Sequence, residues 1–182
     1  QAYGNGNISY QIFKNYPTRK VTTTDRLGTT NILCEEANER PEWQLHPDTM
    51  TILSYACRKA TCRFKGRDYT AWYTMDVPVS EGPWKLHGLP GLIIKAEDSR
   101  GHFAFTCTGL EQLREAKPIL IHTKGREKLN RKELDKMYER FYGDPIGFLA
   151  ATSPNVTINI TDGQGNPIQK YSVPYNPIEI NK

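Results

Sequence analysis

No run of apolar residues in this 182-residue sequence approaches the ~18 needed to cross a membrane as a helix. Cysteine, methionine and histidine are scarce, at 4, 3 and 4 residues. Cys57-x4-Cys62 has no second Cys/His pair at zinc spacing, so a structural zinc site is not expected. No Gly-x-Ser-x-Gly elbow and no cysteine in a glycine-lined, helix-opening turn supplies a nucleophile. "GLPG" carries a proline and has the wrong spacing to cradle phosphate. Glu35 and Glu36 are neighbours in a strand-like run and point to opposite faces, poor geometry for paired acid–base work. Charge of one sign is lacking too: 24 basic against 20 acidic residues leave only +4. The densest basic run, "HTKGREKLNRKELDKMYER", is interleaved with acids and reads as a solvated helix face, not a nucleic-acid surface. No signal peptide opens the sequence at Gln1, which is read as a mature or trimmed form.

What the chain does contain is strand after strand. "ISYQIFK" alternates, with Ile8, Tyr10 and Ile12 on one side, and "KVTTTDRLGTTNILCEE" is rich in β-branched residues. "ERPEWQLHP" reads as an edge-like segment closed by Pro47. "SYACRKATCRF" and "RDYTAWYTMDV" flank Lys65-Gly66, the signal of a tight hairpin. On its first strand Ala56, Ala60, Cys62 and Phe64 share one face, and Tyr55, Cys57, Lys59, Thr61 and Arg63 the other. "GLIIKAED" and "GHFAFTCTGL" form a second hairpin about Ser99-Arg100-Gly101, and "NVTINITDGQGNPIQKYSV" reads as a third. One helix is specified, about Arg131 to Tyr142. Asn130 and Glu133 approach a capping box, Leu134, Met137, Tyr138 and Phe141 make one stripe, and Gly143 and Pro145 stop it. The class is α+β, one domain over residues 1–182, dominated by antiparallel sheet.

Candidate site residues are few. Trp72, Tyr73 and Trp84 are the best set for a ligand surface, because large aromatics line apolar pockets while presenting a polar edge; packing in the core is the competing assignment. His87 and His102 flank the second hairpin, near Glu97 and Asp98, where a surface metal site competes with scattered solvent-facing polar residues. Asn7-Ile8-Ser9, Asn155-Val156-Thr157 and Asn159-Ile160-Thr161 fit the N-glycosylation pattern and are assigned to chance. In "GPWKLHGLPGLIIKAED", Pro78, Pro83 and Pro90 place Val77 to Pro90 in a loop outside the ladder. Gly88 and Gly91 allow backbone conformations or close approaches that a Cβ would obstruct. Leu92, Ile93 and Ile94, with no alternation, suit a strand covered on both faces. The hexapeptide from Gly88 to Ile93 is therefore expected to position a chain crossing, with Trp84 and His87 ahead of it the better contact residues.

The run Gly66-Arg67-x-Tyr69-x-Ala71-Trp72-Tyr73, then Pro78, Gly82-Pro83 and the hexapeptide, resembles the GLPGLI family of Bacteroidota envelope proteins. The match is strong from Cys57 to Asp98 and weaker at "IFKNYPTRKVTTTD", "DPIGF" and "PYNPIE". The resemblance implies export to the periplasm or beyond and a start further upstream. Some members are associated with outer-membrane TonB-dependent transport, the family's biochemical role is largely unassigned, and it carries no catalytic role over to the motif residues. The pattern is also similar to lipoprotein-carrier-like half-barrels, which wrap an apolar groove. Export favours disulfides: Cys62 with Cys107 first and Cys34 with Cys57 second, although four cysteines allow three pairings. The expectation is thus a non-enzymatic, periplasmic or secreted protein with no cofactor and no nucleic-acid partner. It would bind an apolar small molecule, a lipid or an outer-membrane transport partner through Trp72, Tyr73, Trp84, His87 and Leu89. A metal-handling accessory of TonB-dependent transport using His87, His102 or reduced cysteines, and a hydrolase with an unrecognised site, are the alternatives.

Overall fold

The structure, a computed structural model, describes residues 10–15, 18–115, 117–153, 159, 161–168 and 171–180. The acceptor patterns beginning at Asn7 and Asn155, residue Ile8 of the first strand pattern and residue Ile160 lie outside the described residues. The chain falls into two compact units: Gln1–Asn38 with Leu120–Asn176, and Glu39–Ile119 with Pro177–Lys182. The α+β class with mainly antiparallel pairing and a helix from Arg131 is as the sequence reads; the strands are shared between two open sheets, neither closed into a barrel.

In the first unit, strands β1 (Gln11–Asn15), β2 (Lys20–Leu27) and β3 (Thr30–Ala37) pair antiparallel in sequence order. The β2–β3 turn runs through Gly28, at φ +59°, a left-handed conformation that glycine adopts without a Cβ penalty. Helix α1 (Arg131–Gly143) opens with the capping box expected of Asn130 and Glu133. Glu133 N donates to Asn130 Oδ1 at 3.0 Å and Asn130 N to Glu133 Oε2 at 2.8 Å. Its stripe buries Leu134 and Tyr138 into a core with Leu27, Ile32, Cys34 and Phe148.

Two features of this unit differ from the sequence reading. The basic run is not one helix face: Glu127–Leu129 form strand β9, which joins β3 in parallel, so the sheet is not wholly antiparallel. A parallel partner arrives only after a long crossover, here the whole of residues 39–119, which reasoning from adjacent hairpins does not reach. The second difference is an added helix: α1 stops at Gly143 as expected, and Pro145 is also the first residue of α2 (Pro145–Thr152). Asp144 caps it, accepting from Gly147 N at 3.0 Å, and proline suits the first helical position because its missing N–H is not needed there. Of the expected third hairpin, the described residues contain an isolated bridge between Thr161 and Pro167.

The second unit is a five-stranded antiparallel meander in the order β4-β5-β6-β7-β8. Its strands are β4 (Gln44–Ile52), β5 (Tyr55–Phe64), β6 (Arg67–Thr74), β7 (Leu92–Asp98) and β8 (Ala104–Thr106). The β5–β6 hairpin turns on Lys65 and Gly66, both at positive φ (+49° and +79°), as a two-residue primed turn requires. Pro47 does not close β4. It lies where the β4–β5 register shifts between Leu45 and Thr49, a place where a proline costs no ladder bond. Ala60, Cys62 and Phe64 of β5 face the core as expected, yet Ala56 is exposed and Cys57 fully buried beyond that shift.

Candidate functional site

The longest irregular segment with a defined course in this unit is Met75 to Gly91, between β6 and β7. It is pinned rather than free: Leu92 N donates to Val77 O at 3.1 Å and Ile93 N to Glu81 O at 2.8 Å. The hexapeptide then explains itself residue by residue. Gly88 sits at φ +95° against the Arg40 side chain, whose Nη2 donates to the Gly88 carbonyl at 2.7 Å. Leu89 is buried in the core, and Pro90 is exposed. A Cβ on Gly91 would fall on the Thr74 carbonyl oxygen, so this glycine is fixed by a close backbone crossing. Ile93 and Ala96 both join the core although they are three residues apart, because the β6–β7 register slips between Trp72 and Tyr73. That bulge, and not cover on both faces alone, accounts for the unalternating Leu-Ile-Ile run.

The same unit holds a buried ionic assembly that sequence reasoning missed. Arg67 Nη1 meets Asp98 Oδ2 at 2.8 Å, with both side chains 1% exposed. Lys85 Nζ meets Glu179 Oε1 at 2.6 Å, at 3% and 2% exposure. Burial alone would raise the Asp98 carboxyl, but amide donation from Phe103 and His102 and the Arg67 guanidinium outweigh it and hold it below the usual carboxylate range. Trp84, beside Lys85, takes φ +51°, an outlier for a bulky residue. Its ring lies edge-on to Phe64 at 5.8 Å and tilted to Tyr69 at 6.0 Å, contacts that hold the turn. Tyr69 is buried with no hydrogen-bond partner on its hydroxyl, and burial raises that phenol above its ordinary range. Glu179 arrives on the segment Pro177 to Ile180, whose carbonyls at Pro177 and Ile178 accept from Arg67 at 2.5 and 3.0 Å. The signal for this was faint: a lone glutamate in "NPIEI" and a lysine inside an aromatic, proline-rich loop.

The sequence-derived site residues do not converge on one apolar groove. Tyr73 and Leu89 belong to the buried core cluster, and Trp84 packs against it. Trp72 lies on the opposite face of β6 from Tyr73, half-buried, in register with Lys59 and Lys95. His87 is buried; its Nδ1 lies 3.0 Å from Lys85 O, and its own carbonyl accepts from Trp43 Nε1 at 2.8 Å. His102 lies elsewhere, with Nδ1 3.3 Å from Arg67 Nη1. Among the described residues, no group of three or more His, Cys, Asp or Glu side chains could hold a metal. Cys34, Cys57, Cys62 and Cys107 form no disulfide in the structure. The Cys62–Cys107 bridge is incompatible with this sheet: Cys62 is on β5, and Cys107 follows β8, its N–H bonded to Ile94 O on β7. Strands three places apart are ~14 Å distant, twice what a disulfide tolerates. Cys34 and Cys57 fall in different units. Burial, then the Asp68 carboxylate, pushes the Cys62 thiol up to about 12.

Two surface clefts lie among the described residues of this unit. One of about 490 Å³ is lined by Arg40, Glu42, Trp43, Leu45 and the Gly88–Pro90 turn. The other, about 360 Å³, runs over Gln44, Thr61, Arg63, Asp68 and Thr70 on the sheet face. The first places the outer side of the hexapeptide beside the start of edge strand β4, where Leu45 is 57% exposed.

Residues 63–95, which carry this hairpin, loop and hexapeptide, match the family model Porph_ging, described as a protein of unknown function. No curated protein matches the chain. Among solved structures, the chain is similar to PNGF-II in its P21 form, at 18% identity and a TM-score of 0.55 over 70% of this chain and 24% of that one. The C2 form gives 18% identity and 0.52, over 84% of this chain and 27% of that one. The chain thus spans about a quarter of the length of the structures it matches, and at this identity the likeness is one of fold. Among the described residues, no helix is long and apolar enough to cross a membrane.

Proposed function

We propose that this chain is a non-enzymatic binding protein of the bacterial cell envelope, of the GLPGLI kind, which recognises a protein partner at the Gly88–Pro90 cleft. The observation that carries this reading is the split between the two sides of the hexapeptide. On the inner side, Leu89, Tyr73 and Trp84 are consumed by packing. On the outer side, Arg40 and Glu42 stand with Trp43 and Leu45 around an open cleft. Charged groups beside a tethered indole and an exposed leucine suit a protein surface better than a lipid tail, since binding energy at interfaces concentrates on aromatic and arginine anchors. The periplasmic or secreted location, and an outer-membrane transport component as the partner, belong to this proposal through the family resemblance.

The test is photo-crosslinking in the native envelope from a benzophenone amino acid placed at Leu45, with Val79, exposed but outside the cleft, as the control site. A single adduct from Leu45 and none from Val79 is the expected result. Equal labelling from both positions, or none from Leu45, would overturn the assignment.

A further inference from the structure

The segment Pro177–Ile180 is held as a bound peptide is held. It forms no ladder, yet its backbone is read at three points: Arg67 Nη2 on Pro177 O, Arg67 Nε on Ile178 O, and Ile180 N on Lys65 O at 2.9 Å. One side chain is read as well, Glu179 on Lys85, inside the protein. The seat is shaped for main chain: a Cβ on Gly66 would collide with the carbonyl of Ile180. It is also built independently of its occupant, since the Arg67 guanidinium is aimed by Asp98 and lies 4.6 Å from the Phe103 ring. The residues just before the segment belong to the other unit, where Tyr175 stacks on Tyr142 at 4.6 Å. Release of four residues from such a seat is a local event that leaves the sheet's own ladder untouched.

We propose that this seat is a peptide-recognition site, which the chain fills with its own Pro177–Ile180 segment and which an extended acidic peptide of the same pattern, Pro-x-Glu-x, can take in its place. The glutamate supplies specificity through Lys85, because a buried ammonium left without a carboxylate is costly. The paired carbonyls supply register through the fork of Arg67. The site is separate from the Gly88–Pro90 cleft and does not depend on its role.

The experiment uses the full chain with a protease site inserted between Asn176 and Pro177, cut after folding, and fluorescein-labelled peptide Asn-Pro-Ile-Glu-Ile-Asn-Lys. After the freed segment is removed, the cut chain should bind this peptide one-to-one, at least tenfold tighter than a peptide with Glu179→Gln, and at least tenfold tighter than the uncut chain does. Equal binding of both peptides, or none by a cut chain that keeps its tryptophan emission, overturns the proposal. Should the cut chain unfold, the uncut Glu179→Gln protein decides: it should take up the wild-type peptide at least tenfold better than the wild-type protein, and no gain refutes the site.

Discussion

Replacing Glu179 by leucine should be among the most damaging single changes available in the second unit. The Lys85–Glu179 contact is 2.6 Å long and both side chains are at most 3% exposed. Removing one member of such a pair leaves a charge that is neither solvated nor neutralised, at a cost of about 3–5 kcal/mol. A solvent-exposed pair of the same residues would cost about 1 kcal/mol or less. With an m-value of about 2 kcal/mol/M in urea, the loss should lower the midpoint by about 2 M. Tryptophan fluorescence is the suitable reporter, because Trp43, Trp72 and Trp84 are the chain's three tryptophans and all lie in the second unit. The double variant Lys85→Met with Glu179→Leu removes both charges and should recover most of the loss. A midpoint shift below about 0.5 M for Glu179→Leu, or a double variant that loses the sum of the two singles, would refute the buried pairing.

Three further outcomes follow from the same geometry. Gly91→Ala should cost about 3 kcal/mol, since its Cβ meets backbone, whereas Gly101→Ala, with nothing within 4 Å and only a positive φ to oppose it, should cost about 1–2 kcal/mol by thermal denaturation. Asp98, held below the usual carboxylate range, contributes stability that is complete above the unfolded value, about 4, and is lost as pH falls through the folded value. Asp98→Asn should therefore flatten the acid limb of a stability profile below about pH 4, and an unchanged limb would contradict the pairing. Thiol titration of the native protein at pH 8 should find Cys107 reactive and Cys62 inert, with four thiols after denaturation. A Cys62–Cys107 peptide under non-reducing conditions would overturn the strand order.

The elements that the sequence announces are those written in local chemistry. Lys65-Gly66 marks a turn by the positive φ it needs, and Asn130 with Glu133 marks a helix start by the donors it must satisfy. Gly91 was readable as a crossing because so few causes place glycine between proline and a branched apolar run. What was not legible depends on partners distant in sequence. The parallel β3–β9 pair, the Arg67–Asp98 pair 31 residues apart and the Lys85–Glu179 pair 94 residues apart leave no periodicity behind. The aromatic set is ambiguous for a related reason. Tyr73 and Trp84 are large enough for either a pocket or a core, and composition does not tell which face of β6 is covered.

The account rests on the inner side of the hexapeptide being packed and its outer side being the recognition surface. Native mass spectrometry of the chain, purified without detergent, tests this most directly. The predicted spectrum shows the polypeptide without a retained apolar ligand, for the wild type and for Leu45→Ala alike. A stoichiometric lipid-like adduct that disappears with Trp84→Ala or Leu89→Ala would contradict it and restore the carrier reading.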